Sequence, residues 1–267
     1  MWNSSEIPKR WKRSAKSCVT KNRDFAYCLW THAELEAFVA DEYPWLLSTY
    51  DDYPYLIQRC DVARYMLLYR YGGTYVDLDV VCRAPLSVVF AAVPVEAGVV
   101  VTPALPIGFA TDFMAVRRPR DPVVRGVLSG VRRAATSWWY LPLPYTTVMY
   151  RTGPVYFTRR INCHDRHHQV FVISPSDRID YIGYVGGASW HRWDGRIIWS
   201  MFLQRRELLR RTKVITFKLF VVAALIWIFR TRRSIASYLR NRLCQRLRTH
   251  TIASWHQSSV GYLLGTF

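Results

Sequence analysis

Residues 71–80, Tyr-Gly-Gly-Thr-Tyr-Val-Asp-Leu-Asp-Val, contain near their end two acidic residues that are separated by a single residue, Leu78. In a strand alternate side chains share a face, so we predict that Asp77 and Asp79 point the same way while Leu78 packs behind them. Two carboxylates at this spacing suit Mg²⁺ or Mn²⁺, which takes one or two protein carboxylates and fills its other positions with substrate phosphates. We interpret the pair as a phosphate-handling site; the alternative is a turn exposed to solvent.

The segment before the acidic pair predicts a helix. Apolar residues recur at helical spacing over residues 53–70, and Pro54 suits the first turn. Gly72 and Gly73 can adopt the left-handed conformation that ends a helix. The sequence therefore predicts a helix, a glycine turn, a strand and the acidic pair, in this order.

Further helices and strands alternate along the chain. Thr31 is suited to cap a helix over residues 33–40, which ends before Pro44. We predict strands at 98–102, 112–116 and 170–175, and helices at 122–137 and 144–151. This alternation predicts an α/β fold whose mixed or mainly parallel sheet is covered by helices.

The composition favours a folded protein that attracts polyanions. Of its 267 residues, 51% are hydrophobic and 15% aromatic, which argues against disorder. The net charge of +18 favours nucleic acid, anionic lipid or a phosphorylated substrate. Because the chain shows no known nucleic-acid module and no zinc-finger spacing, we do not expect nucleic acid as the partner. The six cysteines form no C-x-x-C pair, so we expect no metal cluster, while disulfides stay open.

One long apolar run, residues 214–229, indicates membrane association. As a helix it is about 24 Å long at ~1.5 Å per residue, against a bilayer core of ~30 Å, and Lys218 interrupts it. We favour a transmembrane segment over a buried or amphipathic helix. Basic residues flank the run on both sides, which leaves its orientation open. We therefore divide the chain into a globular domain, residues 1–204, and a basic C-terminal region, residues 205–267.

The predicted helix and the acidic pair together resemble the signature of glycosyltransferase family 32, the sugar transferases with a DXD motif. The matching positions are Tyr53-Pro54-Tyr55, Gln58-Arg59, Asp61, Arg64-Tyr65, Tyr71-Gly72-Gly73, Tyr75 and Asp77-Leu78-Asp79. Three later blocks are most similar to the inositol phosphoceramide mannosyltransferases of that family: Asp112-Phe113-Met114, Pro144 to Met149 with Thr152-Gly153-Pro154, and Ser189-Trp190-His191. The similarity extends from about Trp2 to about Asp194.

The resemblance implies a GT-A-like fold over residues 1–204 and a membrane glycosyltransferase of the Golgi or endomembrane, with the catalytic domain lumenal. It implies that Mn²⁺ or Mg²⁺ bridges the diphosphate of a nucleotide sugar and that the sugar keeps its anomeric configuration. In the most similar branch the donor is GDP-mannose and the acceptor is the inositol of a membrane phosphosphingolipid such as inositol phosphoceramide. Two alternatives are a galactose or glucose donor with a glycan acceptor, and a degenerate, non-catalytic protein of the membrane surface.

The resemblance also implies the catalytic and metal-binding residues. Asp77 and Asp79 would bind the metal, Asp79 most directly, and together with Arg64 they would stabilise the charge on the leaving diphosphate. His191 would be a third metal ligand, or else a side chain packed between Trp190 and Trp193.

The donor and acceptor sides are implied in the same way. The donor side comprises Arg59, Asp61, Arg64, Gly72, Gly73 and Asp112, and the acceptor side comprises Tyr145, Thr152 and Gly153. Asp61 and Arg64 share a helix face at i and i+3, where the alternative to sugar binding is an ion pair worth about a few tenths of a kcal/mol. Asp61 would accept hydrogen bonds from sugar hydroxyls, and Arg64 would hold sugar or phosphate.

The chain departs from the family at its beginning. Members of the family start with an apolar strand that seats the nucleotide base, and here only Trp2 matches it, so we expect the first strand and any preceding anchor to be absent. Either the gene start is misplaced or the copy is divergent, and an open sheet edge should result. A haloacid-dehalogenase-like phosphatase would also place an acid-x-acid pair after a strand, but the Gly-Asp-x-x-x-Asp element that it needs does not follow Asp79.

Overall fold

The computed structural model describes residues 1, 5–104, 108–137, 143–163, 169–186, 190, 193–205, 207 and 212. The helices are α1 Lys9–Lys21, α2 His32–Glu42, α3 Leu47–Asp51, α4 Leu56–Tyr71, α5 Leu86–Ala91, α6 Pro122–Ser129, α7 Val131–Ser137, α8 Pro144–Arg151, α9 Pro154–Asn162 and α10 Pro175–Tyr181. The strands are β1 Gly73–Val76, β2 Val80–Cys82, β3 Val99–Pro103, β4 Phe109–Val116, β5 Val170–Val172 and β6 Ile182–Tyr184. A 3₁₀ turn, Pro44–Leu46, leads into α3.

The chain divides into two compact units, Met1–Ile198 and Trp199–Phe267. All of the helices and strands named above lie in the first unit. The run 214–229, which the sequence indicates as a membrane segment, lies outside the described residues. Among the residues that are described, no helix is both long enough and apolar enough to cross a bilayer.

The main sheet has the strand order β1-β4-β3-β5. It is mixed, as predicted, but not mainly parallel: β4 is antiparallel to both β1 and β3, and only β5 is parallel to its neighbour β3. The reason is the short connection between β3 and β4, where the Ala104 backbone N–H donates to the Gly108 carbonyl at 2.8 Å. Antiparallel neighbours tolerate so short a connection, whereas parallel strands need a long crossover.

β1 stands at the end of this sheet. In the described part of the chain its only strand neighbour is β4, and its other edge pairs with no strand there. A cavity of about 370 Å³ runs along that edge and is lined mainly by apolar side chains, among them Trp30, Leu67, Tyr71 and Leu78.

α4 is the central helix of the core. All eight residues from Asp61 to Leu68 are buried, because α4 packs between β1 on one side and helices such as α2 and α6 on the other. Gly72 and Gly73 have φ values of +68° and +83°, which confirms the predicted glycine stop. The capping prediction for Thr31 is also confirmed, since its side chain accepts from the Glu34 backbone N–H in a capping box that starts α2.

One predicted helix is two. Residues 122–137 form α6 and α7, which are separated at Gly130. Asp121 caps α6 by accepting from the Val123 and Val124 backbone N–H groups. The apolar periodicity continues across Gly130 and therefore predicts one continuous helix. In the structure the backbone turns at Gly130, and Val127 of α6 and Val131 of α7 are buried in the same core.

Candidate active site

The acidic pair lies in a turn and not in a strand. β1 ends at Val76 and β2 begins at Val80, so Asp77, Leu78 and Asp79 connect the two strands. The prediction that both acids belong to one strand face is therefore wrong. The prediction for Leu78 is confirmed, because its side chain is buried against Trp11 and Ala15 of α1.

The backbone of this acidic turn is held from three sides. The Asp77 N–H donates to the Asp112 carbonyl at 2.8 Å, and the Val185 N–H donates to the Asp79 carbonyl at 2.9 Å. The Ser14 hydroxyl of α1 donates to the Leu78 carbonyl. β4, the residue after β6, and α1 therefore fix the position of the two carboxylates, although these segments are far apart in the sequence.

Arg64 connects α4 to the acidic turn. Its Nη2 lies 3.1 Å from Asp61 Oδ1 and 3.8 Å from Asp77 Oδ1, and its Nη1 donates to the Thr111 carbonyl at 2.6 Å. The guanidinium also lies 4.7 Å from the centre of the Tyr75 ring. The predicted i, i+3 pair with Asp61 is therefore present, and with side chains only 3% and 4% exposed it is a buried ion pair rather than a weak surface contact.

Asp61 is satisfied by one partner on its own helix and one from a distant segment. Arg64 approaches its Oδ1, while the Thr152 hydroxyl donates to its Oδ2 at 2.9 Å. Burial raises the pKa of Asp61 to about 6, although Arg64 and the Thr152 hydrogen bond act in the opposite direction. A Cβ added to Gly153 would lie 3.5 Å from Asp61 Oδ2, so the backbone that follows α8 approaches this carboxylate closely.

Asp112 and Asp79 complete a group of close carboxylates. Burial and the charge of Asp77 raise the pKa of Asp112, and they do the same for Asp79, where Asp112 adds to the effect. The Tyr75 hydroxyl donates to Asp77 Oδ1 at 2.5 Å. Arg64 is the nearest buried cation to this group, and it already pairs with Asp61.

This donor set suits a hard divalent cation. Burial is the main cause of the raised pKa values of Asp79 and Asp112, and the charge of Asp77 adds to it, so a dication would offset the negative charge gathered here. Carboxylate oxygens are the ligands that Mg²⁺ and Mn²⁺ prefer. Within the described ranges, no three His, Cys, Asp or Glu side chains are placed to enclose a metal ion. The residues therefore fit a cation that shares its coordination between one or two carboxylates and the oxygens of a substrate.

Three other predicted site residues, Arg59, Tyr145 and Gly72, have their contacts away from the acidic turn, and a fourth, His191, is not among the described residues. Arg59 donates to the Asp51 carbonyl at 2.7 Å and lies 3.7 Å from Glu36, so its contacts are with α2 and α3. Tyr145 stacks on Trp190 with ring centres 5.3 Å apart, and its N–H donates to Asp194 Oδ2 at 2.6 Å. Gly72 packs against the backbone of residues 116–119. His191 lies outside the described residues.

Sequence reasoning missed three contributors to the site. Tyr75 precedes Asp77 by two positions, so strand alternation could have indicated that its side chain lies on the same side. Thr111 acts through its carbonyl, which no side-chain pattern reveals. Tyr184 hydrogen-bonds Asp112 from β6, and this contact depends on the pairing of β6 with β2.

Comparisons with known proteins confirm the family resemblance. Residues 8–96 match the family described as glycosyltransferase sugar-binding region containing DXD motif. The chain is 34% identical over 213 residues to inositol phosphoceramide mannosyltransferase 2 of Schizosaccharomyces pombe, covering 74% of this chain and 59% of that protein. It is 33% identical over 210 residues to inositol phosphoceramide mannosyltransferase 3 of the same yeast, covering 75% and 56%.

A relative from a second yeast is similar over an equal share of this chain. Mannosyl phosphorylinositol ceramide synthase CSH1 of Saccharomyces cerevisiae is 28% identical over 207 residues, covering 74% of this chain and 53% of that protein. The chain thus spans little more than half the length of the curated relatives that it matches.

Proposed function

Because this chain carries the DXD-motif sugar-binding region of the glycosyltransferases and is similar to inositol phosphoceramide mannosyltransferases, we propose that it is a metal-dependent retaining mannosyltransferase. The donor is GDP-mannose, and the acceptor is the inositol group of a membrane phosphosphingolipid. The first unit of the chain is a GT-A-like domain in which the acidic turn lies at the donor.

The observation that carries this proposal is the buried contact of Arg64 with both Asp61 and Asp77. A fully buried guanidinium and carboxylate are costly to desolvate, and a hydrophobic pair of similar volume would serve stability as well. Their presence beside a partly exposed acidic turn is better explained by a polar substrate. The side chain of Asp77 is 32% exposed, so a ligand can reach the turn from solvent.

Asp77 and Asp79 would hold the divalent cation. When bound, Mg²⁺ or Mn²⁺ supplies positive charge at the diphosphate that leaves with the nucleoside. Asp112 lies beside them and increases the negative field that attracts such an ion. His191 remains our proposed third ligand.

The chain's own residues orient the sugar. Asp61, held by Arg64 and Thr152, accepts hydrogen bonds from hydroxyls of the donor sugar, and Arg64 provides a fixed, permanently charged fork next to them. Thr152 and Gly153 lie directly against Asp61, which supports an acceptor side at the end of α8.

We place the reaction at a membrane of the Golgi or endomembrane system, with the first unit in the lumen. The acceptor is a membrane lipid, and the apolar run 214–229 provides an anchor. Cys18 and Cys82 form a disulfide, and such bonds persist in oxidising compartments and are rare in the cytosol.

The proposal is tested by measuring Mn²⁺-dependent transfer from GDP-mannose to inositol phosphoceramide, with UDP-galactose and UDP-glucose as competing donors. Asp79→Asn keeps the shape of the side chain and removes its charge. We expect it to lower kcat/KM by more than about 100-fold, since even outer-shell changes around a metal cost about 10–100-fold. Asp24→Asn, at an exposed position away from the turn, serves as the charge-matched control.

Three results would count against this function. Full turnover by Asp79→Asn removes the role of the acidic turn. Transfer from a UDP-sugar in preference to GDP-mannose removes the assignment of mannose. Donor-independent lipid binding without any turnover favours a non-catalytic protein.

A further inference from the structure

A second pocket lies at the end of β1 opposite to the acidic turn. It has a volume of about 440 Å³ and is formed by the end of α2, the 3₁₀ turn, the last turn of α4, the connection before α6, and α6 itself. Its lining residues are Glu42, Tyr43, Trp45, Tyr69, Arg70, Arg120, Arg125, Leu128 and Ser129. Arg70 immediately precedes the glycine turn that starts β1, whereas Asp77 follows the end of β1, so this pocket is separate from the candidate active site.

The pocket has an excess of positive charge. It contains three guanidinium groups and one carboxylate, and that carboxylate is taken by Arg70, whose Nε donates to Glu42 Oε2 at 2.7 Å. Arg120 and Arg125 have no carboxylate within ion-pair distance in the described part of the chain. The Asp121 carboxylate also forms no ion pair with either arginine in the described part of the chain, and its Oδ1 accepts from the Val123 and Val124 backbone N–H groups of α6. The lining therefore carries a net charge of +2. The hydrogen bond from Arg70 lowers the pKa of the Glu42 carboxyl, and the charge of Arg120 is close enough to lower it further.

The position of Arg120 is fixed by an unusual backbone conformation. Its φ of +58° is the only positive value at a non-glycine residue in the described ranges. The conformation is held by the Arg120 N–H, which donates to the Tyr69 carbonyl at 2.6 Å. A bulky side chain in this region costs backbone energy, and such outliers concentrate at ligand-binding positions.

The remaining lining residues define the chemistry of the ligand. Guanidinium groups that form no ion pair supply the charge and the N–H donors that phosphate oxygens accept. Trp45, at the rim, is 50% exposed. A partly exposed indole beside cationic groups suits the boundary between lipid headgroups and acyl chains.

We propose that Arg120 and Arg125 form a phosphate-binding site, separate from the acidic turn, that takes the phosphate group of an anionic lipid headgroup or of a soluble phosphate ester. Arg70 and Glu42 form one wall of this site, and Trp45 contacts the part of the ligand that lies beyond the phosphate. The site would hold this face of the first unit against an anionic membrane if the lipid is the source.

The experiment compares binding of the full chain to two probes at one physiological salt concentration. The first is a vesicle of phosphatidylcholine containing phosphatidic acid, measured by flotation, and the second is glycerol 3-phosphate, measured by calorimetry. Arg120→Gln/Arg125→Gln removes the two unpaired charges. Lys16→Gln/Lys21→Gln removes two exposed charges from α1 and is the matched control.

We expect the arginine variant to bind about 30-fold more weakly, since each basic residue near a lipid surface contributes about 1 kcal/mol and about 1.4 kcal/mol corresponds to a tenfold change. The lysine variant should change binding by less than about threefold, because exposed distant charges are screened. If vesicles show this difference and glycerol 3-phosphate does not bind, the source is the lipid headgroup. If the soluble ester shows it and vesicles do not, the source is a soluble phosphate.

Equal losses in the arginine and lysine variants would overturn the proposal, because they would show that only the overall charge of the protein attracts the probe. Absence of binding to both probes would overturn it as well. Arg120→Gly guards against misfolding, since glycine adopts a φ of +58° without cost. This variant should be at least as stable as the original in urea and still bind about fivefold more weakly. None of these measurements uses sugar transfer, so the outcome is independent of the proposed enzyme activity.

Discussion

Asp61 is a buried acid whose proton determines what it can bind. As a carboxylate it pairs with Arg64 and accepts from the Thr152 hydroxyl, and it can also accept from a sugar. As a carboxylic acid it loses the ion pair. The titratable and charged groups that influence it or are influenced by it are Cys60, Arg64 and Tyr65 on α4, Asp77 on the acidic turn, and Tyr53 before α4.

The activity should therefore depend on pH with a definite sign. Burial raises the pKa of Asp61 to about 6, so the group is a carboxylate above that pH and is protonated below it. We expect kcat/KM for the nucleotide sugar to fall as the pH decreases through about 6 and to be level at higher pH. Steady-state kinetics between about pH 5 and about pH 8 would measure this decrease.

Asp61→Asn is the control for this prediction. It should lower kcat/KM at all pH values and abolish the decrease near pH 6, because an amide does not titrate. A pH dependence of the same shape in Asp61→Asn would assign the titration to another group.

The raised pKa of Asp61 also affects stability. The folded state favours protonated Asp61, so the contribution of this group to the free energy of unfolding is present at low pH and decreases as the pH rises through about 6.

At the scale of residues, the candidate site could be predicted in part. The i, i+3 spacing of Asp61 and Arg64 predicted their contact, because helix geometry alone brings those positions together. The hydrogen bond from Thr152 could not be predicted from spacing, since it joins residues 91 positions apart. Only the packing of α8 against α4 brings it about.

At the scale of elements, the junction between α4 and β1 depends on two glycines that differ in their surroundings. Both have positive φ, but a Cβ on Gly72 would lie 3.2 Å from backbone atoms of Val116, Arg118 and Pro119, whereas a Cβ on Gly73 would meet nothing within 4 Å. Backbone atoms cannot move aside as a flexible side chain can. The two positions therefore form a matched pair.

We expect Gly73→Ala to lower the free energy of unfolding by about 1–2 kcal/mol, the cost of a left-handed conformation for alanine. Gly72→Ala should cost about 2–4 kcal/mol, because φ +68° with ψ −152° is a conformation that essentially only glycine adopts, and the close backbone contacts of the added Cβ increase the cost. Urea unfolding of the two variants under identical conditions measures the difference. Equal losses would show that the contacts of Gly72 do not constrain the junction.

Element boundaries show where sequence patterns are sufficient. The glycine stop after α4 and the Thr31 cap were predicted correctly, because each depends on the local conformation of one or two residues. The order of strand and acidic pair was predicted correctly, but the shared strand face was not, since nothing in the alternation of Val76, Asp77 and Leu78 shows that the chain turns at Leu78 and Asp79. The turn forms because Leu78 packs against α1 and the Asp77 N–H bonds to Asp112.

At the scale of the whole molecule, a disulfide joins distant parts of the first unit. Cys18 of α1 and Cys82 of β2 are 64 positions apart, and β2 directly follows the acidic turn. The Cys82 N–H also donates to the Ser17 hydroxyl at 3.0 Å. The bond therefore holds α1 against the segment that carries Asp77 and Asp79.

Removing this bond with Cys18→Ser/Cys82→Ser should lower the free energy of unfolding by about 4 kcal/mol, because a loop of this length gains much conformational freedom in the unfolded chain. Urea unfolding without reductant would show the change, and adding reductant to the original protein should reproduce most of it. Cys28→Ser/Cys163→Ser, at exposed free cysteines, is the control and should unfold as the original does. Equal stability of the two double variants would mean that the disulfide does not constrain the unfolded state.

The sequence by itself determined the α/β class, the α4–β1 junction, the acidic pair and its relation to the DXD sugar transferases. These depend on local periodicity, on glycine conformation and on a contiguous motif. Tertiary structure alone decided that the sheet is mostly antiparallel, that the acids lie in a turn, and that Thr152, Asp112 and Tyr184 meet Asp61 and Asp77. Those contacts depend on strand pairing and helix packing between remote segments, and no local pattern in the chain encodes which remote segments will meet.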